Sequence, residues 1–245
     1  MSRSHNSEKI MMNTATAHID ISVDCALFGF DGEAVNVLLI EQDTDQMQLP
    51  KETAQMALPG DLVLPNESLH ASARRVLKEL TSLEGIYLKQ FYTFGSPERV
   101  AQEKDQEWLR SLRMHPERRV ITVAYYSLVK MDEFAPLADS FAARAQWVKI
   151  DEVPDLAFDH NEILESAVET MQSELMTKHI GFELLPEKFT LSQLQTLYEL
   201  ILDKKLDKRN FRKNIKRMDQ VIPLDEKQTG VLHKPAQLFK FEREE

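Results

Sequence analysis

The hydrophobic positions of the chain repeat with two different periods, and each change of period marks a predicted element. Apolar stretches rich in β-branched and aromatic residues predict strands at 18–42, interrupted by a turn at 31–33, and again at 87–95, 119–129 and 145–150. Apolar positions spaced three and four apart predict a helix within 60–86, with its apolar stripe from Leu69 to Leu80, and a second helix at 161–176. Because strands flank a helix on both sides, the pattern predicts an α+β fold built as an α/β/α sandwich.

The carboxy-terminal segment from Leu184 onward predicts a winged helix-turn-helix domain. Thr190 and Gln193 have the spacing of a capping box. They open a helix whose inner face carries Leu191, Leu194, Leu197, Tyr198 and Ile201. Asp207 is placed to cap a second helix, whose inward-facing residues are Phe211, Ile215 and Met218. A hairpin follows at 221–241, with a first strand VIPL and a turn DEKQTG. Two helices followed by a hairpin are the elements of a winged helix.

The composition is that of a soluble globular protein, with 42% hydrophobic and 29% charged residues. No apolar run approaches membrane-spanning length, and the polar stretch 1–17 lacks the apolar block of a secretory signal. We therefore expect a cytoplasmic protein with a disordered amino-terminal tail. Cys25 is the single cysteine, so an internal disulfide is excluded, and its apolar surroundings predict a core position.

Charge divides the chain into two parts. The net charge is −10, but residues 1–175 carry 16 Lys and Arg against 29 Asp and Glu, whereas residues 176–245 carry 14 against 11. Within 204–217 there are eight basic residues, opposed only by Asp207. This asymmetry predicts an acidic domain at 18–176 and a basic domain at 184–245, joined by a linker at 177–183.

The second helix of the basic domain is the candidate nucleic-acid interface. Burial of its apolar positions predicts five basic side chains facing solvent, namely Lys208, Arg209, Arg212, Lys213 and Lys216. Such a helix fits the major groove of DNA, where Arg pairs with guanine edges, Lys with phosphates and Asn210 with adenine. Lys227, His233 and Lys234 of the hairpin are candidates for contacts with phosphate or the minor groove. The alternative is a basic helix that is merely solvated.

The stretch from Gly60 to Ile86 carries a second signal. Its helix has an apolar stripe, with Asn66 or Ser68 as the cap, and it lies between two glycine-containing loops. The stretch resembles the Nudix box, and the residues that match are Gly60, Glu67, Arg75, Leu77, Glu79, Gly85 and Ile86. Val76 and Leu80 stand where the family has two further glutamates. Too few carboxylates remain for a magnesium site, so we expect neither a bound metal nor hydrolysis of a diphosphate. The alternative is an amphipathic helix unrelated to that family.

Both parts together resemble the Nudix-related transcriptional regulators. The carboxy-terminal resemblance rests on FELLPEKFTLSQLQTLYELILDKKLDKRNFRKN and HKPAQLFKF, and with the altered box it spans nearly the whole chain. It implies a homodimeric regulator that binds operator DNA and whose Nudix-like domain senses a small molecule without a cofactor. Effectors in that family include ADP-ribose or related NAD metabolites and, in one branch, pentoses such as arabinose. The segments RRVLKELTSLEGIYLKQFYTFG and RRVITVAYYSLV look closer to the sugar-responsive branch.

The cleft of such a domain supplies the candidate effector-binding residues, which are Gly60, Arg75, Glu79, Arg99 and Arg119. The connection 96–118 is longer than usual, and we interpret it as a surface helix with a partly buried Trp108. The arginines within and beside it, Arg99, Arg113, Arg118 and Arg119, can reach a phosphate or a carboxylate. The competing function is a Nudix hydrolase of nucleoside diphosphate derivatives whose basic tail serves only for targeting.

Overall fold

The computed structural model describes residues 18–45, 54–131, 142–178, 180–230 and 234–242, so the predicted tail 1–17 lies outside the described residues. The strands are β1 (Ile19–Phe30), β2 (Val35–Gln42), β3 (Met56–Ala57), β4 (Gly60–Leu62), β5 (Lys89–Phe94), β6 (Arg119–Lys130), β7 (Ala142–Lys149), β8 (Val221–Lys227) and β9 (Gln237–Phe241). The α-helices are α1 (Leu69–Thr81), α2 (Glu103–Leu112), α3 (His160–Lys178), α4 (Leu191–Ile201) and α5 (Lys208–Ile215). Short 3₁₀ turns lie at Ile150–Glu152 and Ile180–Leu184.

A mixed sheet forms the centre of the amino-terminal part. Its strands lie in the order β3-β2-β1-β6-β5, while β4 pairs with β1 and β7 pairs with β2. β1 and β6 run parallel in an unbroken register, from Ile19 opposite Arg119 to Phe30 opposite Lys130. Because this register is continuous, it fixes which side chains of the two strands lie at the same level, including Asp24 opposite Ala124.

The sheet is covered on both faces, which confirms the predicted α/β/α sandwich. Successive side chains of a strand point to opposite faces, so β1 contributes to two cores. The first core packs β1 against the apolar stripe of α1, through Val23, Cys25, Leu27, Ala73, Val76, Leu77 and Leu80. The second packs β1 against α3, through Ala26, Phe28, Ile163, Ala167 and Met171. Cys25 is fully buried in the first core, as predicted.

The carboxy-terminal part is a winged helix, as predicted. The capping box is present, because the Thr190 side chain accepts a hydrogen bond from the Gln193 N–H while the Gln193 side chain accepts one from the Thr190 N–H. Asp207 caps α5 by accepting from the Asn210 N–H. The hairpin differs from our expectation of a first strand that ends at Leu224. β8 continues to Lys227, because its pairing with β9 resumes after an irregularity and joins Lys227 to Gln237.

The segment 177–183, which we predicted to be a linker, is packed against both parts of the molecule. α3 continues to Lys178, and the turn Ile180–Leu184 buries Phe182, whose ring stacks on Phe241 with centroids 4.0 Å apart. A side chain at Gly181 would come within 2.7 Å of Leu175 Cδ1. The second core continues from the sheet into the winged helix through this segment. The two parts therefore share one apolar core.

Candidate effector cleft and nucleic-acid interface

Arg75 stands at the centre of the box. Ser68 caps α1 by accepting from the Ala71 N–H, and the helix directs the Arg75 guanidinium into a group of carboxylates. Arg75 Nη2 donates to Glu67 Oε1 at 2.9 Å, and Nη1 donates to Glu79 Oε2 at 2.9 Å and to Asp61 Oδ2 at 3.3 Å. The hydrogen bond from Arg75 lowers the pKa of Glu67 to about 2. The carboxylates of the box are therefore engaged by a cation of the protein itself.

A cleft lies beside the box, between the sheet, α2 and the start of α3. It encloses about 510 Å³ of empty space, counting its open mouth, but only about 40 Å³ is available to the centres of water-sized groups. Small-molecule sites commonly enclose about 300–1,000 Å³, so the interior of this cleft, at about 40 Å³, is much smaller than such a site. Its lining residues are Ser22, Asp24, Ile40, Ala57, Leu58, Gly60, Asp61, Arg99, Val100, Trp108, Leu109, Arg113, Phe158 and His160.

A buried ion-pair cluster forms one wall of this cleft. Arg99 Nε and Nη2 donate to the two carboxylate oxygens of Asp159 at 2.8 and 2.7 Å, and Nη2 also donates to Asp24 Oδ2 at 3.2 Å. The exposed fractions of the Arg99 and Asp24 side chains are 3% and 5%. Burial lowers the pKa of Arg99, but the two carboxylates raise it more, so the guanidinium keeps its charge.

His160 and Gly60 hold Asp24 in place from the other side. His160 Nδ1 accepts the Leu58 N–H at 3.0 Å, so its ring proton faces Asp24 Oδ1 from Nε2, 3.4 Å away. Burial raises the pKa of Asp24, but His160 and Arg99 lower it more, and the pKa lies well below its usual range. Gly60 leaves the space that this carboxylate fills, since a Cβ at that position would overlap Asp24 Oδ1.

Aromatic side chains also line the cleft. α2 is a surface helix, as predicted. Trp108 is only 1% exposed, however, so our expectation of a partly buried Trp is wrong, because its indole belongs to the first core. The Phe158 ring lies 5.5 Å from the Trp108 ring and 5.2 Å from the His160 ring. Phe158 has a left-handed backbone with φ of 58°, and its N–H donates to Asp105 Oδ1. Strained backbone of this kind is concentrated at functional sites.

The structure brings together only some of the predicted effector-binding residues. Gly60 and Arg99 line the cleft, and Arg75 is linked to it through Asp61. Glu79 lies on the outer side of Arg75 and its side chain is half exposed. Arg119 does not line the cleft, because the β1–β6 register places it opposite Ile19, five residues from the level of Asp24. Its guanidinium donates to the Gly95 carbonyl instead.

Asp24, Asp159, His160 and Phe158 were not among the residues that we predicted for the cleft. A signal for Asp24 was present, because a charged residue inside the apolar strand IDISVDCALFGF is buried only if it is paired. The loop before α3 offered no comparable signal. Its residues meet Arg99 and Asp24 only through contacts between residues far apart in the sequence.

The basic face of α5 is the candidate nucleic-acid interface. Phe211 and Ile215 are buried, so Lys208, Arg209, Asn210, Lys213 and Lys216 are exposed, as expected. Arg209, Lys213 and Lys216 follow at intervals of four and three, which places them on one stripe opposite the apolar side. Arg212 departs from the expectation of a solvent-facing side chain. It is partly buried, because its Nη2 donates to Ser192 Oγ of α4 at 3.0 Å.

The predicted contact residues of the hairpin are only partly described. Lys227 at the end of β8 and Lys234 before β9 are both exposed. His233 lies outside the described residues. The hairpin is held against α4 and the 3₁₀ turn by a two-way backbone pairing between Phe189 and Phe239, with N–O distances of 3.0 and 2.8 Å. Lys227 and Lys234 therefore project from a supported element.

Comparison with protein-family models identifies both parts of the molecule. A model of the NUDIX domain matches residues 18–167, and a model of the NrtR DNA-binding winged helix domain matches residues 181–241. The chain belongs to the NrtR-type Nudix family. As an NrtR-type protein it combines a Nudix fold with a DNA-binding winged helix, and the family of transcription regulators that the sequence resembles is confirmed.

Relatives of this NrtR-type protein match it over most of its length. It is 28% identical to the ADPR responsive transcriptional repressor NtrR of Acinetobacter baylyi. The 225 matched residues cover 90% of this chain and 81% of the relative. The structure of Shewanella oneidensis NrtR complexed with a 27mer DNA is 25% identical, with a TM-score of 0.70, over 91% of this chain and 93% of that one.

The separate Nudix domain of Shewanella oneidensis NrtR, complexed with ADP ribose, shares the fold of the amino-terminal part. It is 24% identical, with a TM-score of 0.50, over 68% of this chain and 98% of that one. Two further properties of the described residues complete the picture. None of their helices is long and apolar enough to cross a membrane. No group of three or more His, Cys, Asp or Glu among them is arranged to hold a metal ion.

Proposed function

We propose that this NrtR-type protein is a homodimeric transcriptional repressor that binds operator DNA through α5 and senses ADP-ribose in the cleft of its Nudix domain. The observation that carries the proposal is the outward stripe of Arg209, Lys213 and Lys216 on α5. A duplex carries closely spaced phosphates, and an exposed basic helix of this kind suits its major groove. The relatives from Acinetobacter baylyi and Shewanella oneidensis support this choice, the first by its name and the second by its complex with DNA.

ADP-ribose is the preferred effector for two reasons. The relative from Acinetobacter baylyi is named as ADPR responsive, whereas none of the relatives described above is named for a pentose. The cleft also offers cationic and aromatic groups together, in Arg113 and Phe158, which suits a ligand that has both phosphates and a base. Arabinose therefore becomes a competing ligand to be tested beside ADP-ribose.

α3 supplies a physical connection between the cleft and the winged helix. Asp159 and His160, at the start of α3, belong to the ion-pair cluster of the cleft. Further along the same helix, Gln172 Nε2 donates to the Ile201 carbonyl of α4 at 2.8 Å. A ligand that moves the start of α3 therefore also biases α4 and α5. It changes the affinity for DNA only to the extent that it binds one arrangement of the dimer better than the other.

We expect the protein to act without catalysing hydrolysis. A diphosphate hydrolase needs a metal ion to stabilise charge and activate water. In this chain Val76 and Leu80 replace two box carboxylates, and Arg75 engages the remaining Glu67 and Glu79. The competing function, a Nudix hydrolase, requires magnesium-dependent turnover of ADP-ribose that is lost in Glu79→Gln. Such turnover at a rate typical of enzymes would refute this part of the proposal.

DNA binding is tested with a charge-matched pair of variants. Arg209→Ala combined with Lys213→Ala removes two cations from the outward stripe, and Arg74→Ala combined with Lys78→Ala removes two exposed cations from α1. In a gel-shift titration against the DNA upstream of the chain's own gene, we expect only the first pair to abolish the shift at moderate salt. If both removed side chains contact phosphate, the salt dependence of log K should become less steep by about 1.8. If the two double variants bind the DNA equally well, the assignment of α5 as the DNA-binding helix is refuted.

Effector binding is tested on the wild-type chain. Thermal unfolding is followed with ADP-ribose, AMP, ribose and arabinose, because a ligand that binds only the folded state raises the melting temperature by mass action. We expect ADP-ribose to raise it and to change the DNA affinity in the gel shift. If arabinose raises the melting temperature and ADP-ribose does not, arabinose replaces ADP-ribose as the proposed effector. If the wild type does not bind DNA at low salt, the whole proposal is refuted.

A further inference from the structure

The connection 96–118 builds much of the cleft. It supplies Arg99, Val100, Trp108, Leu109 and Arg113 to the lining. Two of these residues carry buried N–H groups that have no hydrogen-bond partner among the described residues, Trp108 Nε1 and Arg113 Nη1. A buried donor without a partner is destabilising, and such groups are uncommon in folded proteins.

The carboxylates near Arg113 form their ion pairs with other arginines. Asp24 and Asp159 share Arg99 as their ion-pair partner, and His160 is a further neighbour of Asp24. Asp61 is paired with Arg75. No ion pair to Arg113 is found among the described residues. Burial lowers the pKa of Arg113, and the charge of Asp24 offsets only part of that effect. Arg113 is therefore a cation of the cleft that forms no ion pair with a described residue, and its Nη1 has no hydrogen-bond partner among them.

We propose that Arg113 and Trp108 form an anion subsite that receives a phosphoryl group of the effector. The guanidinium supplies charge and donors, and the indole N–H, which donates but cannot accept, favours an oxygen of an anion over a cationic or donor group. The narrow interior, of about 40 Å³, suits one phosphoryl group rather than a whole nucleotide. Phe158, with its left-handed backbone, lies at the same wall beside Trp108, where a shift would widen the cleft for the remainder of the ligand.

The inference rests on the proposed function only for the identity of the whole effector, so its test uses two ligands. Inorganic pyrophosphate probes the subsite alone, and ADP-ribose probes the proposed effector. Trp147→Phe makes Trp108 the only indole of the chain, since the sequence contains two Trp. In that background the fluorescence of Trp108 should change and saturate with each ligand, while adenosine and ribose should have little effect.

Matched variants separate the subsite from general damage. Arg113→Gln should raise the dissociation constants of both ligands by roughly 10- to 100-fold, because it removes a charged hydrogen bond. Arg110→Gln, at an exposed arginine of α2 three residues before Arg113, should leave them unchanged. Trp108→Phe should weaken binding by roughly 3- to 10-fold, as measured by calorimetry. Trp147→Phe should leave the affinity for both ligands unchanged. It also removes a buried N–H that has no partner among the described residues, but Trp147 does not line the cleft.

Each outcome decides between the two hypotheses. If ADP-ribose binds the wild type and Arg113→Gln leaves its affinity unchanged at an unaltered melting temperature, the subsite is refuted and the proposed effector stands. If pyrophosphate binds in an Arg113-dependent manner and ADP-ribose does not bind, the subsite stands and the effector is wrong. If neither binds, both are refuted. Arg113→Lys, which keeps the charge, should recover part of the affinity lost in Arg113→Gln, whereas a purely structural role predicts no such recovery.

Discussion

Removing the cation of the buried cluster tests whether the cleft is organised by Arg99. In Arg99→Met a side chain of similar length replaces the guanidinium, and Asp24 and Asp159 lose their shared partner. Both carboxylates are nearly inaccessible to water, with exposed fractions of 5% and 10%. Breaking a buried pair by removing one partner costs about 3–5 kcal/mol, much more than an exposed pair contributes. For a chain of this length, that loss corresponds to a fall in melting temperature of about 6–20 °C.

Urea unfolding and thermal unfolding of Arg99→Met and the wild type measure the loss. The control is Arg110→Met, which makes the same change at an exposed position of α2 and should cost less than about 0.5 kcal/mol. The pH dependence adds a second readout. The folded pKa of Asp24 lies below its ordinary value of 3.8, so its stabilisation is complete above that pH and is lost as the pH falls toward the folded pKa.

The difference in unfolding free energy between wild type and Arg99→Met should therefore stay constant from about pH 7 to about pH 5 and shrink below about pH 4. If Arg99→Met is no less stable than Arg110→Met at neutral pH, the carboxylates of Asp24 and Asp159 are solvated without Arg99, and the ion-pair cluster does not organise the cleft. A difference that grows as the pH falls below 4 would contradict the assigned direction of the Asp24 pKa.

Three further predictions concern other parts of the molecule. Glu174→Gln removes a carboxylate whose pKa is raised by burial but lowered to about 2 by hydrogen bonds from Lys89 and Tyr126. The wild type should be more stable than this variant above pH 4.5, and urea unfolding should show the advantage vanishing as the pH falls through about 2. Thr190→Ala breaks the capping box and should lower the unfolding free energy by about 1 kcal/mol, whereas Thr190→Ser should retain most of it. Gly60→Ala forces a Cβ into the Asp24 carboxylate and should cost about 1–3 kcal/mol by thermal unfolding; an unchanged melting temperature would show that β4 can move away.

The sequence by itself determined most of the elements and their order, although the short strands β3 and β4 were not predicted. The helical periods of α1 and α4, the capping box at Thr190 and the cap at Asp207 are local signals, because each depends on residues within one or two turns of each other. The loss of the box carboxylates at Val76 and Leu80 is equally visible in the sequence. Local signals of this kind were sufficient to predict a Nudix-like sandwich followed by a winged helix.

The tertiary structure decided how the charged side chains are used. The parallel register of β1 and β6 removes Arg119 from the cleft, and no local pattern encodes that register. The partners of Arg99 lie 75 and 60 residues away, so its burial depends on three segments that meet only in the folded chain. In the same way Ser192 of α4 turns Arg212 of α5 away from the basic stripe. A long charged side chain can form an ion pair or hydrogen bond with any suitable partner within its reach, so its role depends on which distant segments pack beside it. The spacing of apolar residues that defines a helix or a strand is, in contrast, a local property of the sequence.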